Sequence, residues 1–210
     1  MSYSATYVDE KGRSHTITIR DDESQEALRN DYQASMKKYD PKYVTIERCQ
    51  AEAGEELHLR ITVKAPSHYL TSKEDRIPKP CSSMSAEVVA YLGYPLKAVK
   101  AFYAPNHYLA SPNVFRFGGA CIDNWVIFTS SLLTVAEKLI MDMIHNPVVT
   151  RYDSMANPYM EEWHRAHVAS GAFPSIAPKL VYAPDTPLPQ RRSRAVETPT
   201  SRPLPRRRDY

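Results

Sequence analysis

Tyr43-Val44-Thr45-Ile46-Glu47-Arg48, followed beyond the turn Ala53-Gly54-Glu55 by Leu57-His58-Leu59-Arg60-Ile61-Thr62-Val63, sets apolar and polar residues in alternation. A period of two is that of a strand with one face in a core. Two such runs across a short turn predict an antiparallel pair. Downstream, Ala86–Leu92 and Ala98–Tyr103 give two more strands, separated by Gly93-Tyr94-Pro95, and the Pro-, Ser- and charge-rich stretch Ala65–Ser83 between reads as a long loop. Strands that follow one another without intervening helices make an antiparallel meander rather than a βαβ unit.

The flanks complete an α+β domain. Ala5–Ile19 reads as a hairpin turned at Lys11-Gly12. Asp21, Asp22 and Ser24 offer caps for a helix over Glu26–Lys38, which Asp40-Pro41 closes. Beyond the meander, Ala104–Ser130 has no regular pattern. Ser131–Ile144 then carries Leu132, Val135, Ala136, Leu139, Ile140 and Met143 at helical spacing and ends at Asn146-Pro147. A last helix starts at Asn157-Pro158 and runs through Tyr159–Val168 to Gly171. The expected architecture is a four-stranded antiparallel meander flanked by helices, with an extra N-terminal hairpin. Its divisions are 1–20 for the hairpin, 21–178 for the body and 179–210 for a basic tail.

Composition narrows the function classes. The chain has 210 residues, of which 42% are hydrophobic and 24% charged, the balance of an ordinary globular protein. No apolar run reaches the eighteen or so residues of a membrane span, and Met1–Ser14 is too polar for a secretory signal. Cys49, Cys81 and Cys121 cannot all pair, and no CxxC occurs, so a reducing cytoplasm is expected and a cysteine that matters acts as a thiol. From Lys179 to Tyr210 eight Lys/Arg stand against three acids, a net of +5, which leaves −2 of the overall +3 for the rest. A body of that balance does not read as a nucleic-acid surface. The tail, with six prolines and few aliphatics, is too poor in core-forming residues to fold. It reads as a solvated extension, as a docking peptide in polyproline II form, or as an electrostatic tether to an acidic partner.

The irregular stretch carries the chemistry. Ser111-Pro112-Asn113-Val114-Phe115-Arg116-Phe117-Gly118-Gly119-Ala120-Cys121-Ile122-Asp123-Asn124-Trp125 puts a cysteine just beyond two glycines, on a bent and accessible backbone. Asn113, eight residues upstream, can fold back toward the sulfur. A thiol nucleophile and a donor for a developing oxyanion are the parts acyl transfer needs. No histidine has a spacing that marks it as a base for the thiol; His107, fourteen residues upstream, is the nearest on that side. A cysteine hydrolase is therefore not indicated. His164 and His167 are three apart and could share a metal, but no third ligand is in view, so neither a metal nor a cofactor is expected.

The order Tyr94-Pro95, Pro112-Asn113, Gly118, Cys121, Asp123 resembles the ubiquitin-conjugating (E2) family. There a Tyr-Pro follows the third strand, a His-Pro-Asn follows the fourth, and the asparagine lies eight residues before the active cysteine. The resemblance covers Asp22 to Phe173 and implies a UBC-like fold. It departs in four places. Ser111 stands where that histidine braces the loop, and Leu96-Lys97-Ala98-Val99 replaces a proline pair. Trp125 lies nearer the cysteine than the family's tryptophan, and Pro66–Ser83 lacks the usual Tyr-x-Gly-Gly. Divergence of this kind points to a prokaryotic, antiviral-defence-associated branch.

What the resemblance implies is a transferase. Cys121 takes a ubiquitin-like protein as a thioester from an E1-like activating enzyme and passes it to an amine on an acceptor not identifiable from the sequence. Asn113 donates to the oxyanion or holds the loop in shape, and Asp153, past the helix that follows the cysteine, orients or deprotonates the amine. Asp123 reads as structural, bonding its own turn. The alternative is a non-catalytic E2-variant or RWD-like domain that binds a ubiquitin-like protein or scaffolds a complex.

Overall fold

The structure is a computed structural model that describes residues 1–9, 11–72, 74–103, 108–115, 118–122, 130–150, 152, 155–173 and 176–181. At the N-terminus β1 (Ser2–Val8) pairs antiparallel with β2 (Ser14–Arg20), from Ser2 opposite Arg20 to Val8 opposite Ser14. The chain passes directly from β2 into α1 (Asp21–Lys38), which thus begins ahead of the expected Glu26. Asp21, Asp22 and Glu23 fill its first turn, where negative charge complements the helix dipole, and Glu23 accepts the Arg20 N–H at 2.7 Å. Ser24 is not a cap. It is buried inside the helix, and its hydroxyl accepts the Gly93 N–H at 3.0 Å, tying α1 to the turn after the third strand of the meander.

That meander is β3 (Val44–Arg48), β4 (Leu57–Val63), β7 (Met84–Ala90) and β8 (Lys100–Tyr103), antiparallel throughout and in the order β3-β4-β7-β8. One row of the register runs Ile46, Ile61, Ala86, Tyr103 across all four strands. The alternation read in the sequence is the alternation of faces. Leu57, Leu59, Ile61 and Val63 are buried, while on the other face Glu87 of β7 binds His58 at 3.1 Å and Arg60 at 2.7 Å. The helix α2 (Leu132–Met143) lies on β4 and β7 and buries Leu132, Val135, Ala136, Leu139, Ile140 and Met143, with α1 against it. Truncating Ile61 or Leu139 to Ala in such a core costs about 2–5 kcal/mol.

Ser131 and Thr134 cap α2 reciprocally, Thr134 N–H to Ser131 Oγ at 3.1 Å and Ser131 N–H to Thr134 Oγ1 at 2.9 Å. The hydroxyl of Tyr94, from the Tyr-Pro pair, accepts the Leu132 N–H at 2.7 Å and donates to Asp31 of α1. One buried phenol thereby joins both helices.

Two stretches expected to be irregular contain strands. β5 (Ser67–Leu70) pairs with β6 (Lys79–Cys81), and β9 (Tyr108–Leu109) adds to the other side of β5 in a second sheet. These strands are short, and Pro66, Pro78 and Pro80 mask the alternation. After α2 come a 3-10 turn at Pro147–Val149, a second at Pro158–Met160, α3 (Glu161–Ala169) and the one-turn α4 (Ala177–Leu180). Leu180 is buried, and its carbonyl accepts the Asp40 N–H at 2.8 Å. After the extra N-terminal hairpin, the order helix, meander, cysteine loop, helix, helix is the one the resemblance implies. Residues 182–210, most of the basic tail, lie outside the described residues. No helix among the described residues is long and apolar enough to cross a membrane.

Candidate functional site

Cys121 sits on a small ladder built against the edge of the meander. Asn113–Phe115 runs back along Gly119–Cys121, with the Phe115 N–H on Gly119 O at 2.8 Å and the Cys121 N–H on Asn113 O at 2.7 Å. The second arm docks on β8 through Ala120 N–H to Ala101 O and Tyr103 N–H to Gly118 O, each 2.9 Å. Gly118 takes φ +89°, and a Cβ there would lie 2.8 Å from the Tyr108 ring. Both facts demand glycine, which explains the residue three positions before the cysteine. Cys121 itself is half-buried and unpaired to any cysteine. Its chain neighbours Ala120 and Ile122, with Val99, Ala101, Tyr108 and Phe115, line an apolar groove of about 510 Å³.

Asn113 is placed otherwise than a donor aimed at the sulfur. Its main-chain carbonyl meets Cys121, while its side-chain amide donates to Asp142 Oδ1 and to Val149 O, each at 3.1 Å. Asp142, on α2, is the acceptor around which the loop is organised, and it was not singled out in the sequence. Its Oδ1 also accepts from Ser111 Oγ at 2.6 Å, and its Oδ2 from the Tyr103 hydroxyl at 3.0 Å. Ser111 Oγ in turn accepts the Asn113 N–H at 3.1 Å, and Asn157 N–H reaches Pro112 O at 2.9 Å. Burial pushes the Asp142 carboxyl up, against the three donors that favour its ionised form. A lone carboxylate at 142 on the face of Val135, Leu139 and Met143 was the available signal. An acid is not left on an apolar helix face unless something pairs it.

Asp153, Asp123, Trp125 and His107 lie outside the described residues. His164 and His167 join a cluster assembled from distant segments: His68 from β5, His145 from the end of α2, Trp163 from α3 and Phe173 beyond it. Ring centroids are 5.5 Å apart for His68 and His145, and 5.6 Å for His145 and His164. Phe173 stacks on His145 at 4.4 Å. His164 Nδ1 pairs with the Tyr152 hydroxyl at 2.7 Å, and His167 Nδ1 with Trp163 O at 2.8 Å. Three buried ring nitrogens, His68 Nδ1, His145 Nδ1 and His164 Nε2, have no hydrogen-bond partner among the described residues. Burial holds His145 well below the ordinary imidazole value, lowers His68, and takes His164 down to about 4. Among the described residues no group of three or more His, Cys, Asp or Glu is arranged to hold a metal ion.

No family model matches the chain, and no curated protein matches it. Among solved structures it is similar to Ubc12 of S. cerevisiae, at 14% identity over 70% of this chain and 71% of that one, with a TM-score of 0.45. A likeness of that size carries no chemistry across. The reading of the site rests on the residues of this chain.

Proposed function

We propose that this chain is an E2-like transferase, a divergent prokaryotic one, that carries a ubiquitin-like protein as a thioester on Cys121. The observation that supports it is the seat of the thiol. Cys121 is held by its own amide on a loop fixed to the sheet edge, the residue is half-buried, and its chain neighbours Ala120 and Ile122 line an apolar groove. In that setting the Cys121 thiolate attacks the thioester carbonyl of the loaded E1-like enzyme, and the departing E1 thiolate completes the exchange. An acceptor amine then attacks the new thioester. Its proton passes to a base, a role for which Asp153 is the candidate, and the Cys121 thiolate leaves as the amide forms. Exchange between two thiols is nearly balanced, so positioning suffices for loading. Asn113 acts in this reading chiefly as a brace, because both amide hydrogens already have acceptors.

The test is a reducible adduct. Incubated with its E1-like enzyme, its ubiquitin-like protein and ATP, the wild-type chain gains a species cleaved by β-mercaptoethanol. Cys121→Ala loses it and Cys121→Lys converts it to a stable amide. A chain that takes no adduct on Cys121 leaves the non-catalytic E2-variant reading in its place. A gene for an E1-like adenylating protein or for a ubiquitin-like protein beside this one supports the transferase and its prokaryotic source.

A further inference from the structure

We infer that Asp142 is the positioning residue of the Cys121 thiol, the buried carboxylate that fixes the cysteine loop to the core; the inference rests on the transferase reading for its purpose, and on geometry for its mechanism. Asp142 is 2% exposed on the apolar face of α2, a place where an acid is costly unless it is used. Two of its three donors, Ser111 Oγ and Asn113 Nδ2, come from the loop and converge on Oδ1, while the third, the Tyr103 hydroxyl, comes from β8 and takes Oδ2. One side chain therefore locks helix, edge strand and loop to each other. From it an unbroken run of hydrogen bonds leads to the cysteine, because Ser111 Oγ holds the Asn113 N–H and Asn113 O holds the Cys121 N–H.

The other arm of the ladder is referred to the same strand, since Ala120 N–H binds Ala101 O on β8. Cys121 is thus positioned from two sides, by β8 through the backbone and by α2 through the carboxylate. Neither an amide nor an aliphatic side chain can do the second task. Asparagine at 142 would turn an N–H toward one of three donors, and leucine would leave all three buried and unpaired. Ser111, where the resembled family has a histidine, is a working part of this arrangement, since it gives one proton to Asp142 and takes one from Asn113.

The experiment uses the full chain with Cys49→Ser and Cys81→Ser, so that Cys121 is the one thiol. Amide hydrogen exchange at Ala120 and Cys121 is compared with that at β4 and β7, and Cys121 alkylation by iodoacetamide is timed, in Asp142→Asn, Ser111→Ala and Tyr103→Phe. Losing a hydrogen bond to a charged group makes the local opening about tenfold or more easier. Exchange at Cys121 should rise by that factor in Asp142→Asn and Ser111→Ala relative to the strands, with a changed alkylation rate. Tyr103→Phe removes a donor from the strand side and should leave Cys121 exchange within a few-fold of the parent. Exchange at Cys121 that merely tracks β4 and β7 in both loop-side variants overturns the inference. Should Asp142→Asn fail to fold, Ser111→Ala carries the test. A parent chain that takes no thioester overturns the functional reading and leaves the exchange result standing. A parent that loads normally, with Cys121 exchange unmoved in the variants, overturns the positioning role alone.

Discussion

Asp142 and the centre of the histidine cluster, His145 and His164, are buried near the C-terminal end of α2, yet they meet burial in opposite ways. The carboxylate receives donors on both oxygens. The cluster leaves three ring nitrogens without partners among the described residues and fills the space between rings with Phe173 and Trp163. A satisfied network transmits position, because each bond restricts the next group. An imidazole with no partner for a second proton stays neutral instead, and what it contributes is apolar packing that holds only while it remains uncharged. The first region fixes a loop; the second fastens α3 and Phe173 onto β5 and the end of α2 under a condition set by pH.

The strongest way to break the carboxylate side is Asp142→Ala. Three buried donors lose their acceptor at about 1–3 kcal/mol each, so urea unfolding should report a loss of about 3 kcal/mol or more. A loss below 1 kcal/mol would show that the donors find other partners and that the network is not what holds them.

Acid breaks the histidine side. His164, His145 and His68 have folded values below the unfolded value of about 6.5. The unfolded chain therefore takes up protons first as pH falls. The stability these groups supply is complete above about 6.5 and is lost progressively below it, down to about 4 for His164. Each pH unit below 6.5 removes at most about 1.4 kcal/mol for a buried histidine that stays neutral in the fold, as His145 does, and less for the partly exposed His68. Denaturant midpoints at pH 7, 6 and 5 measure this, and His164→Phe should flatten the profile; an unchanged slope would assign the acid sensitivity elsewhere. Asp142 has the reverse sign. Its folded value is raised, so the folded chain takes its proton first and acid does not draw on it for unfolding.

How legible these regions were in the sequence follows the same division. β3, β4, β7 and α2 announced themselves because each repeats its own period over five or more residues. β5, β6 and β9 did not, since β5 finds one of its two neighbours in Tyr108–Leu109, far along the chain, and prolines interrupt the pattern. The spacing of Asn113 and Cys121 was readable and marked a real contact, main chain to main chain. The direction of the Asn113 amide was not, because its acceptor stands 29 residues on, in a helix. Of the histidine cluster only the i, i+3 pair on α3 showed. His68 and His145 join it through tertiary packing, and nothing local marks them.

Two smaller perturbations sharpen the contrast. Gly118→Ala attacks the cysteine loop by its backbone, where a positive φ and the Tyr108 ring both oppose a Cβ. It should cost about 1–3 kcal/mol in thermal or chemical unfolding, and a neutral result would mean that the bend at Gly118 relaxes freely. Lys38 and Glu137 form an ion pair between α1 and α2 at 2.8 Å, partly open to water. Lys38→Ala should change stability by less than about 1 kcal/mol, and less still at high salt, in contrast to the buried groups. A larger loss would make the helix pair depend on surface charge.

The measurement that bears most directly on the transferase account is intact-mass spectrometry of the chain after exposure to ubiquitin carrying a C-terminal mercaptoethanesulfonate thioester, which needs no activating enzyme. The account predicts one ubiquitin mass added to Cys121, removed by dithiothreitol and absent from Cys121→Ala. Loading that is undiminished in Cys121→Ala, or a Cys121 that never gains the adduct while Cys49 or Cys81 does, would contradict it.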